Sequence, residues 1–214
     1  MDSKLLEQIK QYGIVPVIAL EDVRDAKPLA ETLCEGGLPI AEVTFRTEAA
    51  AEVIHIMSTE FPQMLVGAGT VLHAGQVDTA IQSGAKFLVS PGMNPKTVKH
   101  SLDKNTLMIP GCLTPSDIEQ AIELGLKAVK FFPAEQGGGL PMIKAMSAPY
   151  KDMQFMPSGG INPQNIKEYL SYSKIFACGG SWMVKDELIK AKDYKTILKL
   201  TKEAVEMVKN IRQE

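Results

Sequence analysis

Eight short apolar runs alternate with longer stretches of helical period along the 214 residues, and this alternation constrains the fold more than any other feature. The runs are "IVPVIAL" (14–20), "IAEVTF" (40–45), "MLVGAG" (64–69), "KFLVSPG" (86–92), "TLMIPG" (106–111), "KAVKFFP" (127–133), "MQFMPSGG" (153–160) and "KIFACGG" (174–180). Apolar runs of this length, bounded by glycine and proline, read as strands buried on both faces of a parallel sheet. Between them, "DAKPLAETLCEGG" (25–37) and "PSDIEQAIELGL" (115–126) read as helices. The second carries Asp117 in its first turn and Gly125 near its end, as helix termini prefer. Eight such units in just over 200 residues predict an α/β fold, a compact TIM (β/α)8 barrel rather than an open doubly wound sheet. An extra N-terminal helix over residues 3–12 would cover the bottom, and "YKTILKLTKEAVEMVKNI" (194–211) would be the closing helix. No linker interrupts the pattern, so residues 1–214 are expected to form one domain.

Charge and cysteine usage narrow the partners. The net charge is −2 and no long basic run occurs, which argues against nucleic acid and against an anionic membrane surface. No apolar stretch approaches the roughly 20 residues that span a bilayer, and the charged "MDSKLLEQIKQYG" is no signal peptide. A cytoplasmic protein is expected. Cys34, Cys112 and Cys178 are odd in number and widely spaced, which suits reduced thiols. Cys112 and Cys178 fall near strand ends, where a functional thiol is conceivable, but a buried small hydrophobe is the better reading. His55, His73 and His100 lack ligand spacing, so no metal is expected.

In a barrel of this kind the active site lies at the C-terminal ends of the strands, so the polar residues there are the candidates. In "EVTFRT", alternation puts Glu42, Thr44 and Arg46 on one side. A carboxylate inside a strand needs a partner or a role, and a Glu42–Arg46 ion pair is the structural alternative. "GAGTV" starts like a dinucleotide fingerprint, but Leu72 stands where the third glycine belongs. Its small residues would instead let a ligand approach the backbone, with Thr70 offering a hydroxyl. "SPG" (90–92) and "PGC" (110–112) form rigid rims that turn chemistry explains as well as ligand contact does.

The sixth run sets Lys130 among Ala128, Val129, Phe131 and Phe132. An ammonium there is costly to desolvate, so the neutral amine is accessible and can attack a carbonyl to form a Schiff base. Taken alone, a snorkelling lysine accounts for the residue equally well; the neighbouring motifs favour catalysis. "PSGGINP" (157–163) and "CGGSW" (178–182) follow the last two runs. Loops in that position, rich in exposed N–H groups, commonly hold phosphate in such barrels, which nominates Gly159, Gly160, Gly180 and Ser181. Asn162 followed by Pro163 reads as the start of the next helix.

"EVTFRT", "GAGTV", "SPG", "KFFPAE", "SGGI" and "GGSW" occur in this order at these strand ends. Together they resemble the family of 2-keto-3-deoxy-6-phosphogluconate (KDPG) and 4-hydroxy-2-oxoglutarate (KHG) aldolases over essentially the whole chain. The resemblance implies a small TIM barrel, a homotrimer, and class I aldolase chemistry on a small keto-acid phosphate, without metal or other cofactor. It implies that Lys130 forms the imine and Glu42 is the general acid/base. Arg46 and Thr70 would bind the pyruvate carboxylate, Pro91 and Phe132 would shape its pocket, and Gly159, Gly160 and Ser181 would meet the phosphate. The family's "TGGI" is "SGGI" here, which keeps a hydroxyl at Ser158. Two rivals remain open at this point. One is an aldolase for the epimeric 2-keto-3-deoxy-6-phosphogalactonate; the other is a barrel that binds a sugar phosphate without catalysis.

Overall fold

Each apolar run becomes a short strand in the computed structural model, which describes residues 2–213. The strands are β1 Ile14–Ile18, β2 Ile40–Thr44, β3 Leu65–Gly69, β4 Phe87–Val89, β5 Leu107–Ile109, β6 Ala128–Phe131, β7 Gln154–Pro157 and β8 Cys178–Gly180. Pro110 follows β5 directly, and Pro91 and Pro133 follow β4 and β6 after one residue, where a residue without a ladder donor ends the pairing. In the eighth run only the last three of seven expected residues are strand; Ile175 contributes one isolated bridge to Phe155.

The helices are α1 Asp2–Tyr12, α2 Ala26–Glu35, α3 Ala50–Glu60, α4 Ala74–Gln82, α5 Pro95–Asp103, α6 Pro115–Glu123, α7 Gly139–Ser147, α8 Ile166–Leu170, α9 Asp186–Lys190 and α10 Tyr194–Gln213. Local chemistry accounts for their starts. Thr114 and Asp117 form a reciprocal capping box on α6, and Asn94 caps α5 ahead of Pro95. The expected start at Asn162–Pro163 is displaced: α8 begins at Ile166. Asn162 instead governs the preceding turn, its Oδ1 accepting from Gln164 N at 2.9 Å and its carbonyl from Ile166 N at 3.1 Å.

All strand pairs are parallel. Six strands form one sheet in the order β5-β4-β3-β2-β1-β8, and β6 pairs with β7. Isolated bridges link Gly111 to Lys130 and Ser158 to Gly179, on the two sides of the β6–β7 pair. The result is a parallel α/β fold with sequential strand order. Registration of Val17 with Glu42, Glu42 with Gly67, and Gly67 with Phe87 lays these four residues side by side across β1 to β4. A Cβ on Gly67 would stand 2.3 Å from the Phe87 ring, so glycine is the residue that lets this aromatic lie across β3. At the opposite end, Arg212 of α10 donates to the carbonyls of Gln11 and Phe176, tying the last helix to the end of α1 and the approach to β8.

Candidate active site

Lys130 and Glu42 meet inside the fold although 88 residues separate them. Lys130 Nζ donates to Glu42 Oε1 at 3.3 Å, and the two residues are 6% and 1% exposed. Two charges withdrawn from water in this way lose more hydration than a simple counter-ion role readily returns. The backbone holds the lysine on both sides: Lys130 N donates to Pro110 O at 2.8 Å, and Cys112 N donates to Lys130 O at 2.7 Å. The Phe132 ring stands 5.2 Å from Lys130 Nζ, within cation–π range. The other carboxylate oxygen, Glu42 Oε2, is buried with no hydrogen-bond partner among the described residues. A buried acceptor in that condition is costly unless something else occupies it in the working state.

The structural alternative for Glu42 is overturned, since its ion pair is with Lys130 and not with Arg46. Arg46 lies two residues beyond β2, exposed, and its Nε donates to Thr44 Oγ1 at 3.1 Å. The reading of "GAGTV" also changes. A Cβ on Gly69 would stand 2.3 Å from Glu42 Oε1, so this glycine makes room for the carboxylate. Thr70 follows with φ 57°, a left-handed conformation uncommon outside glycine. Such strain is retained where surrounding structure enforces it, often at sites. Pro91 sits on the same side, its carbonyl so close to Gly111 that a Cβ there would be 2.0 Å away.

A separate cleft of about 200 Å³ opens between the ends of β7, β8 and β2. Arg46, Phe132, Ser158, Gly159, Gly160, Gly180 and Ser181 line it, with Val17, Ile161 and Gly179. Gly159 and Gly160 have φ 98° and 85°, which glycine alone adopts readily. The Asn162 and Asn165 side-chain amides both donate to Gly160 O at 3.0 Å. No acceptor for the Gly159 or Gly160 N–H is found among the described residues. Seven of the eleven expected site residues therefore share one cleft. Phe132 joins it to the buried Lys130–Glu42 pair, while Thr70 and Pro91 stand outside its lining. A larger groove, about 450 Å³, lies near Leu126 and Met153 at the N-terminal ends of β6 and β7; its lining has no counterpart of the buried pair.

Sequence reasoning missed Glu135 and Tyr169. The Glu135 side chain packs on Gly160, and Tyr169 donates its hydroxyl to Glu135 Oε1. No motif spacing signals this contact, because 34 residues separate the pair. Cys112 and Cys178 behave as buried apolar groups: desolvation pushes the Cys112 thiol up to about 12 and raises Cys178 as well. His100 pairs with Asp78 and His73 caps α4, and the described residues contain no group of three or more His, Cys, Asp or Glu suited to a metal.

Comparison with known proteins agrees with this geometry. Residues 5–200 match the family model for KDPG and KHG aldolase. The chain is 48% identical to a 2-dehydro-3-deoxy-phosphogluconate aldolase of Haemophilus influenzae, over 97% of this chain and 98% of that relative. It is 40% identical to a KHG/KDPG aldolase of Escherichia coli, with 92% of each covered. Among solved structures it resembles a KDPG aldolase from Legionella pneumophila with pyruvate captured at low pH as a covalent carbinolamine intermediate. That likeness has a TM-score of 0.90 at 36% identity, over 93% of this chain and 97% of the other. With a buried lysine–carboxylate pair joining β6 and β2 and these relatives over nearly its whole length, the chain belongs to the KDPG and KHG aldolase family.

Proposed function

We propose that this chain is a class I aldolase that cleaves 2-keto-3-deoxy-6-phosphogluconate to pyruvate and glyceraldehyde 3-phosphate, and 4-hydroxy-2-oxoglutarate to pyruvate and glyoxylate. The observation that carries the reading is the buried Lys130–Glu42 pair with Glu42 Oε2 left unpartnered. Proton transfer from the Lys130 ammonium to Glu42 frees the amine, which attacks C2 of the keto acid to give a carbinolamine. Glu42 returns the proton to the departing hydroxyl, water leaves, and a protonated imine remains. Glu42 then takes the proton of the C4 hydroxyl, directly or through a water. The C3–C4 electron pair flows into the imine, leaving an enamine and the aldehyde. Protonation at C3 and hydrolysis release pyruvate and the lysine.

Arg46 grips the substrate carboxylate, with Thr70 adding a hydroxyl; Phe132 and Pro91 bound the pyruvate end. The open N–H groups of Gly159 and Gly160 support a phosphate subsite, completed by Ser158, Gly180 and Ser181. We further propose one closed (β/α)8 barrel over 1–214, supported by the bridges flanking β6 and β7. A homotrimer and a cytoplasmic location also belong to this reading. The described residues include no helix long and apolar enough to cross a membrane, and the three cysteines are unpaired. A non-catalytic sugar-phosphate binder would need the cleft but not the buried pair beside it.

Borohydride added with pyruvate should reduce the imine and label Lys130, and Lys130→Ala should lose both labelling and pyruvate release. Labelling at another lysine, or turnover surviving in Lys130→Ala, would overturn the assignment.

A further inference from the structure

Arg46 is held in an unusual way for an exposed arginine. Its Nε donates to Thr44 Oγ1 at 3.1 Å, while its Nη1 and Nη2 form no hydrogen bond or ion pair among the described residues. Thr44 is 1% exposed, and its hydroxyl donates to Ile18 O at 2.9 Å, the carbonyl of the last residue of β1. A hydroxyl has one hydrogen; with that hydrogen given to Ile18, Thr44 Oγ1 can only accept from the arginine. The chain on either side of Arg46 is fixed too. Phe45 N donates to Gly69 O at 2.8 Å, and Thr47 Oγ1 donates to Leu20 O at 2.6 Å.

We propose that Thr44 is a positioning residue that occupies Nε of Arg46, so that the substrate carboxylate is received end-on by Nη1 and Nη2. The proposal rests on the reading of Arg46 as the carboxylate grip. A guanidinium can meet a carboxylate through Nε and one Nη, or through both Nη atoms. With Nε engaged, only the second approach is open, and the fork is held at the edge of the cleft before substrate arrives. Holding it there removes rotamer freedom that binding would otherwise have to remove.

The test is a double-mutant cycle read by the pyruvate concentration that half-saturates borohydride trapping at Lys130, beside kcat for KDPG. Thr44→Val keeps the shape but removes the acceptor. It should raise half-saturating pyruvate about tenfold, the scale of one hydrogen bond to a charged group, with little change in kcat. Thr44→Ser keeps the hydroxyl and should restore affinity. In an Arg46→Leu background Thr44→Val should add nothing. If Thr44→Val does not fold, Thr44→Cys, a poor acceptor of similar size, is read in the same way. Wild-type pyruvate affinity in Thr44→Val, or an equal further loss in the Arg46→Leu background, would overturn the positioning role. Unchanged affinity in Arg46→Leu itself would reject the carboxylate grip on which that role depends.

Discussion

The two sides of the site are built from different materials. Where β2 and β6 face each other, the candidate catalytic groups are side chains, Glu42 and Lys130, both withdrawn from water. Beyond β7 and β8 the cleft is lined largely by backbone, with three of its expected residues glycine and Ser181 exposed. The difference fits what the proposed function asks of each region. Proton transfer and imine formation need nucleophile and base at a fixed short distance, shielded from bulk water that would compete for both. Holding a dianion needs many donors and little side-chain bulk, which open N–H groups supply. Glycine serves both sides, for opposite reasons: Gly69 leaves space for the Glu42 carboxylate, whereas Gly159 and Gly160 reach turns that other residues resist.

That contrast predicts unequal responses to substitution. After the loss expected of Lys130→Ala, the largest belongs to Glu42→Gln. Near-isosteric replacement should leave a folded protein whose turnover falls about 10²–10⁴-fold, the usual contribution of a positioned acid/base. Solvent-deuterium exchange into pyruvate should fall with it, while slow borohydride trapping at Lys130 survives. If Glu42 were only the lysine's counter-ion, thermal unfolding would drop while exchange and kcat in the folded fraction stayed near normal.

On the cleft side the effect should be smaller and substrate-dependent. Gly160 is a poor probe, because φ 85° and a Cβ 2.4 Å from Glu135 would strain any replacement. Ser181 is exposed, so Ser181→Asp brings a carboxylate to the proposed phosphate subsite without that strain. It should lower kcat/KM for the phosphorylated substrate about 10- to 100-fold, the scale of one or more charge-assisted hydrogen bonds. Cleavage of 4-hydroxy-2-oxoglutarate, which carries no phosphate, should hardly change. Equal losses on both substrates would remove the phosphate from this cleft.

The smallest effect concerns Cys112, which lies beside the buried pair yet takes no part in it. Burial raises its thiol from 9.0 to about 12, so the neutral form is favoured in the folded state. Its contribution to stability is therefore complete below pH 9 and is lost as pH climbs toward 12. Alkylation of native protein at pH 8 should reach the half-buried Cys34 first and leave activity intact, with Cys112 and Cys178 reacting on unfolding. Inactivation tracking Cys112 modification would bring the thiol into the site.

Much of this was legible in the chain. Alternating apolar runs located all eight strands because burial on both faces demands continuous apolar residues. Lys130 stood out because a charge in such a run violates the pattern. Asn162 misled for a local reason: its side chain can serve a turn as well as a helix start, and three further residues intervene before α8. Glu135 and Tyr169 were invisible, since nothing local distinguishes a charged loop residue that packs on a distant glycine from one that faces solvent.

By itself the sequence determined the order of strands and helices and the residue types offered at each strand end, because periodicity and turn chemistry act over a few residues. Only the tertiary structure decided which offered residues meet. The choice of Lys130 over Arg46 as Glu42's partner, the carboxylate seated over Gly69, and the hold of Thr44 on Arg46 all depend on the register and inclination of strands set side by side. Those are settled by packing the whole core, where a shift of one residue along a strand would send each side chain to the opposite face.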